Sequence, residues 1–191
     1  NNLKVPTTWD ELEAVCKKIK EIDPKSIPLG YDSEANWFIT MCEQNGWGYT
    51  SAEGNHYTFN NPQTTAWLQQ LNEYFNEGYI VTQEQYGSYT SNLFTKGQDD
   101  GGLIYCVGSS GGASYQATTK FTWGVAPIPG SKQADGTVNY SVISQGPSLV
   151  MLESEQVSSP EVTEEKKLMT FLFIKELLDP MFQASFSIES G

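Results

Sequence analysis

Apolar residues recur three and four positions apart over several stretches of the chain, and short apolar runs lie between those stretches. Trp9, Leu12, Cys16 and Ile19 fall on one face of a helix. Thr8 and Glu11, three residues apart, form a capping box at its start. Acids lead and Lys17, Lys18 and Lys20 follow, which matches the helix dipole. A strand is expected over 26–30 and a second helix over 33–45, stopped by Gly46. Residues 57–59 form a short extended piece. Asn61-Pro62 opens a third helix with proline in its first position, turns Trp67, Leu71, Tyr74 and Phe75 inward, and ends at Gly78. A fourth helix is predicted over 86–95. Strands are predicted over 103–107 and 121–126, the second broken by Pro127-Ile128-Pro129-Gly130. Residues 140–152 read as extended, interrupted at Gly146-Pro147. The longest helix covers 161–178 and breaks at Asp179-Pro180. Strands alternating with helices predict an α/β fold.

Composition sharpens this picture. A chain of 191 residues makes one domain or two small ones. With 38% hydrophobic and 13% aromatic residues it can build a core, and no run approaches the roughly 20 apolar residues of a membrane span. Acids outnumber bases 23 to 11, a net charge of −12, and every basic residue is lysine. Without arginine, nucleic acid is a poor partner and none is expected, because duplex recognition leans on dense cationic contacts and guanidinium forks. The same lack disfavours carboxylate and phosphate ligands and favours a neutral polar one. Three cysteines do not make a disulfide framework. Cys16, Cys42 and Cys106 lack metal-ligand spacing and read as buried thiols.

Candidate chemistry is sparse. Gly108-Ser109-Ser110-Gly111-Gly112 matches a G-x-S-x-G nucleophile elbow after an apolar strand. That motif needs a histidine downstream, and the single histidine, His56, lies upstream. A serine hydrolase using Ser110 is therefore the alternative, and a glycine-rich turn lining a ligand cleft is the simpler reading. Asp99-Asp100-Gly101-Gly102 lacks the alternating carboxylates of a calcium loop and reads as a solvated turn. A richer constellation is Tyr31-Asp32-Ser33-Glu34-Ala35-Asn36-Trp37, which puts two carboxylates, an amide and an indole where a strand gives way to a helix. In open α/β sheets, ligands bind outside the carboxyl ends of strands. Aromatic planes with polar neighbours suit sugars, so Asp32, Glu34, Asn36 and Trp37 are candidate ligand contacts.

Several segments, in order and at consistent spacing, carry a family likeness. They are Pro6-Thr7-Thr8-Trp9-Asp10-Glu11-Leu12, Asn36-Trp37-Phe38 with Asn45-Gly46, and Phe59-Asn60-Asn61-Pro62. Phe94-Thr95-Lys96-Gly97 leading to Leu103-Ile104-Tyr105, and Trp123-Gly124-Val125-Ala126-Pro127-Ile128-Pro129-Gly130, complete the set. Together they resemble the type 1 extracellular solute-binding proteins of ABC importers, the maltose-binding-protein-like group. The resemblance implies a periplasmic-binding-protein-like class II fold. Residues 1–143 would form the second lobe, a mixed sheet flanked by helices. Residues 144–191 would form the hinge crossing and helices that belong largely with a first lobe outside this sequence. It places cleft positions on Glu34, Asn36 and Trp37, with Tyr86 and Tyr89, Ser109 and Ser110, and Gln145 in the hinge crossing as further ligand contacts. It implies no catalysis, no cofactor and no metal. The expected ligand is a sugar or oligosaccharide, and the expected partners are ABC permease subunits. The expected location is outside the cell membrane, lipid-anchored or periplasmic. A surface carbohydrate-binding module without transport is the remaining alternative.

Between Leu168 and Leu178 eight of eleven residues are apolar. Such a helix expects neighbours on more than one side. The segment 161–186 is thus expected to depart from the first 143 residues near Ser144–Pro147 and to be covered by another chain or by the first lobe.

Overall fold

The computed structural model describes residues 3–97, 102–109, 119–146, 148–152 and 160–190. The chain divides into two compact units, Asn1–Ile143 and Ser144–Gly191.

The first unit begins with helix α1 (Trp9–Ile22), which buries Leu12, Cys16 and Ile19. Thr8 Oγ1 accepts from Glu11 N at 3.3 Å. Glu11 reaches one residue further back than the expected box, accepting from Thr7 N and Thr7 Oγ1, both at 2.8 Å. Strand β1 (Ile27–Tyr31) follows, then α2 (Glu34–Asn45), capped by Ser33, and α3 (Pro62–Asn76), capped by Asn61. Next come β2 (Ile80–Thr82), two single-turn helices α4 (Gln83–Tyr86) and α5 (Ser91–Phe94), and β3 (Leu103–Val107). The three strands pair in the order β2-β1-β3, parallel throughout. The α/β class is as expected. Antiparallel pairing, which a mixed sheet would include, is found outside the main sheet among the described residues, in a separate hairpin of β4 (Ser131–Lys132) and β5 (Val138–Asn139) and in an isolated bridge between Thr50 and Tyr57.

One strand went unpredicted and two expectations are corrected. The strand β2 has only three residues and no periodic signal. The helix expected over 86–95 is split, because Gly87 takes φ 76°, a left-handed conformation that ends α4. The strand expected over 121–126 is irregular. Val125 is 84% exposed, and this segment joins no described ladder.

The core is aromatic. Trp37 is 2% exposed and stacks on Tyr31 with centroids 4.6 Å apart. Trp9 and Trp67 lie 5.5 and 5.7 Å from it. Burying each such side chain is worth about 1.5–3 kcal/mol. A fully buried amide ties the periphery to this core. Gln44 Oε1 accepts from Trp9 Nε1 at 2.7 Å, while Gln44 Nε2 donates to the carbonyls of Pro129 and Ser141, each at 3.1 Å. The β4–β5 hairpin is thereby fixed against α1 and α2 without belonging to the main sheet.

The second unit contains α6 (Pro160–Leu177) and α7 (Pro180–Ser190). Asp179 caps α7, with its Oδ1 accepting from Met181 N and Phe182 N at 2.9 and 3.1 Å. Leu168, Met169, Phe171, Phe173, Met181 and Phe186 are all exposed.

Candidate functional site

The register Tyr31↔Thr82 and Tyr31↔Val107 brings the carboxyl ends of all three strands level. The turns that follow them therefore share one edge of the sheet. Asp32 to Asn36 follow β1, residues 83–90 follow β2, and Gly108 and Ser109 follow β3.

Asp32 organises this edge. Its N donates to Val107 O at 3.1 Å, and its Oδ1 accepts from Thr90 N at 2.6 Å and Thr90 Oγ1 at 2.7 Å. Thr90 is fully buried. One carboxylate thus fastens the turn after β1 to the start of α5, and Tyr89 is the residue just before that clamp. Two glycines make room for it. A Cβ on Gly108 would sit 2.8 Å from Asp32 Oδ2, and one on Gly30 would sit 2.8 Å from Thr90 Cβ. Beneath the clamp, Thr90 Oγ1 lies 3.5 Å from Cys106 Sγ, and burial pushes that thiol up to about 11. Cys16 is likewise pushed up by burial, to about 12. Such thiols are poor nucleophiles at neutral pH.

Of the predicted contacts, Asp32, Glu34, Asn36, Tyr86, Tyr89 and Ser109 come to this edge. Glu34 and Asn36 occupy the first turn of α2, where Ser33 Oγ accepts from Asn36 N at 3.2 Å. Tyr89 is 60% exposed, whereas one face of Tyr86 meets Lys96 Nζ 5.9 Å from the ring centroid. Tyr89 is therefore the more open aromatic plane. Asp32 has a positioning role, since its Oδ1 is shared by two donors from Thr90. Trp37 is corrected. Its ring is buried among Tyr31, Trp9 and Trp67, so it offers no platform at the edge. Ser110 lies outside the described residues. Gln145 is exposed and belongs to the second unit, so it is not assigned to this edge. Sequence reasoning missed Thr90, which carries no local signal because its role exists only once Asp32 is beside it. Gly108 was flagged only as part of a glycine-rich turn, and its closeness to Asp32 appears only in the fold.

The edge offers carboxylate, amide, hydroxyl and phenol groups, the means to hydrogen-bond and stack a polar solute. His56 is remote from the strand turns in sequence and exposed, with Nδ1 2.7 Å from Asn55 Oδ1. Among the described residues no group of three or more His, Cys, Asp or Glu is placed to hold a metal ion. None of the described helices is long and apolar enough to cross a membrane.

An α/β unit whose polar and aromatic turns gather at the carboxyl edge of a parallel sheet is the architecture of a ligand-binding lobe. Residues 2–191 match the family model described as bacterial extracellular solute-binding protein, and the chain belongs to that family. No curated protein matches it significantly.

Proposed function

We propose that this chain is part of the receptor of an ABC importer and binds a carbohydrate between two lobes, handing it to membrane permease subunits without chemical change. Closure of the lobes about a hinge would bury the ligand. Residues 1–143 serve as the second lobe. Residues 144–191 serve as the hinge crossing, with helices that pack largely on the first lobe. Glu34, Asn36, Tyr86, Tyr89 and Ser109 contribute the second lobe's ligand contacts, with Ser110 and Gln145 added from their neighbouring segments. The protein works outside the membrane, lipid-anchored or periplasmic.

What supports this reading is that Asn36, Tyr89 and Ser109 lie on the turns that follow the three level strand ends, two of which the Asp32–Thr90 bonds fasten together. The arginine-free composition supports a neutral ligand over an anionic one. A thermal-shift screen of the full-length protein against neutral oligosaccharides tests it, because a ligand of the native state raises Tm by mass action. At least one oligosaccharide should raise Tm, and Tyr89→Ala should weaken its binding by about 1–3 kcal/mol. If no sugar shifts Tm while an amino acid or peptide does, the carbohydrate assignment fails. If Tyr89→Ala leaves the isotherm unchanged, the stacking role fails.

A further inference from the structure

Gln44, in the last turn of α2, has 0% exposure, and both ends of its side-chain amide are engaged. Its Oε1 accepts from Trp9 Nε1 at 2.7 Å and Ser131 Oγ at 3.0 Å. Its Nε2 donates to Pro129 O and Ser141 O, each at 3.1 Å. Its backbone carbonyl accepts from Gln133 Nε2 at 2.9 Å and Asn139 Nδ2 at 3.0 Å. Asn139 Oδ1 in turn accepts from Ser141 N at 3.0 Å and Ser141 Oγ at 2.7 Å. Ser141 is thus held at its N–H, its hydroxyl and its carbonyl, although it lies at the surface. The residues just beyond it are the opposite. Val142 to Gly146 make no hydrogen bond among the described residues, and Val142, Ser144, Gln145 and Gly146 are exposed. The change falls at one residue, just ahead of the boundary between the two units after Ile143. Exposed backbone without hydrogen bonds opens at the least cost, and hinges are short stretches at element ends that absorb a change of φ and ψ.

From this we propose that Gln44 and Asn139 are the positioning residues of the hinge: they hold the chain through Ser141, so that the bend of lobe closure starts at Val142. A buried amide suits the task. Drawing Ser141 away would leave a buried donor unpaired, whereas turning the residues after it breaks no bond. The proposal rests on the reading of residues 144–191 as the crossing between lobes, and not on which ligand is bound.

Amide hydrogen exchange of the full-length protein, read by NMR with no sugar added, tests the anchor. The Ser141 N–H should exchange at least about tenfold more slowly than those of Val142 to Gly146. Asn139→Ala should bring Ser141 to the rate of the residues after it, and Asn139→Asp, which keeps the acceptor oxygen, should restore the protection. Asn139 is only half-buried, so these variants spare the core. Gln44→Glu keeps the acceptor for Trp9 but removes the donor to Ser141, and it should release Ser141 as Asn139→Ala does. Pulsed electron resonance between one nitroxide on each lobe of the full-length protein tests the hinge role. The inter-lobe distances should spread in Asn139→Ala and return to the wild-type distribution in Asn139→Asp. A wild-type Ser141 that exchanges as fast as Val142, or protection unchanged in both Asn139→Ala and Gln44→Glu, overturns the anchor. Lost protection with inter-lobe distances unchanged overturns the hinge role alone. A wild-type protein with one narrow inter-lobe distance, the same with and without the oligosaccharides of the thermal-shift screen, overturns the two-lobe reading itself.

Discussion

Helices α1 and α6 handle apolar surface in opposite ways. In α1 the apolar residues Leu12, Cys16 and Ile19 face inward and are buried, and the other face carries Lys17, Lys18 and Glu21. In α6 the apolar residues run around the circumference, and Phe171 is 53% exposed. One helix is satisfied by a single neighbour layer; the other has more apolar surface than one layer can cover. The lesson is that helix formation and helix burial are separate matters. Both segments form well-defined helices, but only the first unit supplies enough facing surface to bury one. An exposed apolar surface of this kind marks an interaction site, and the proposed first lobe is the partner that would meet it.

The largest expected effect separates the two units. Trp37→Ala should destabilise the first unit by about 3–5 kcal/mol, because it opens a cavity among Tyr31, Trp9 and Trp67. Phe171→Ala should change stability by less than about 0.5 kcal/mol. All five tryptophans precede Ile143, so indole emission during urea unfolding follows the first unit alone. Equal costs for the two substitutions would break the comparison.

A smaller effect tests the strand edge within the first unit. Asp32→Ala leaves the buried N–H and hydroxyl of Thr90 without their acceptor and should cost about 1–3 kcal/mol. Asp32→Asn keeps one acceptor oxygen and should cost less. If the two variants unfold at the same urea concentration, the clamp contributes nothing.

The smallest effect is electrostatic. Lys17 and Tyr74 lower the Glu13 carboxyl from its ordinary value of 4.5. A lowered native value means that the contribution is present above the unfolded value and is lost as pH falls through the native one. Glu13→Gln should therefore lower stability at pH 7, with the gap to wild type closing below about pH 4.5. Urea midpoints across that range measure it, and a gap that widens in acid would contradict the network bridging α1 and α3.

Much of the fold was legible because its signals are local. Thr8, Ser33 and Asn61 announce the starts of α1, α2 and α3 through bonds to backbone groups three residues away, and 103–107 coincides with β3. Nothing local marks Ile80–Thr82 as a strand. Its identity comes from pairing with Leu29, Gly30 and Tyr31, about fifty residues earlier in the chain. Phe121 to Ala126 shows the reverse, an apolar run that joins no described ladder.

The candidate site divides along the same line. By itself the sequence determined that Asp32, Glu34 and Asn36 stand at a strand-to-helix turn. Only the tertiary structure decided which way the nearby groups work. It turned Trp37 into the core, spent Asp32 on Thr90, left Tyr89 open, and set Gly108 where a side chain would collide with a carboxylate. The physical reason is that caps and helical periodicity depend on a few neighbouring residues. Burial, ladder pairing and a carboxylate's choice of donor depend on groups that meet only after distant segments have packed.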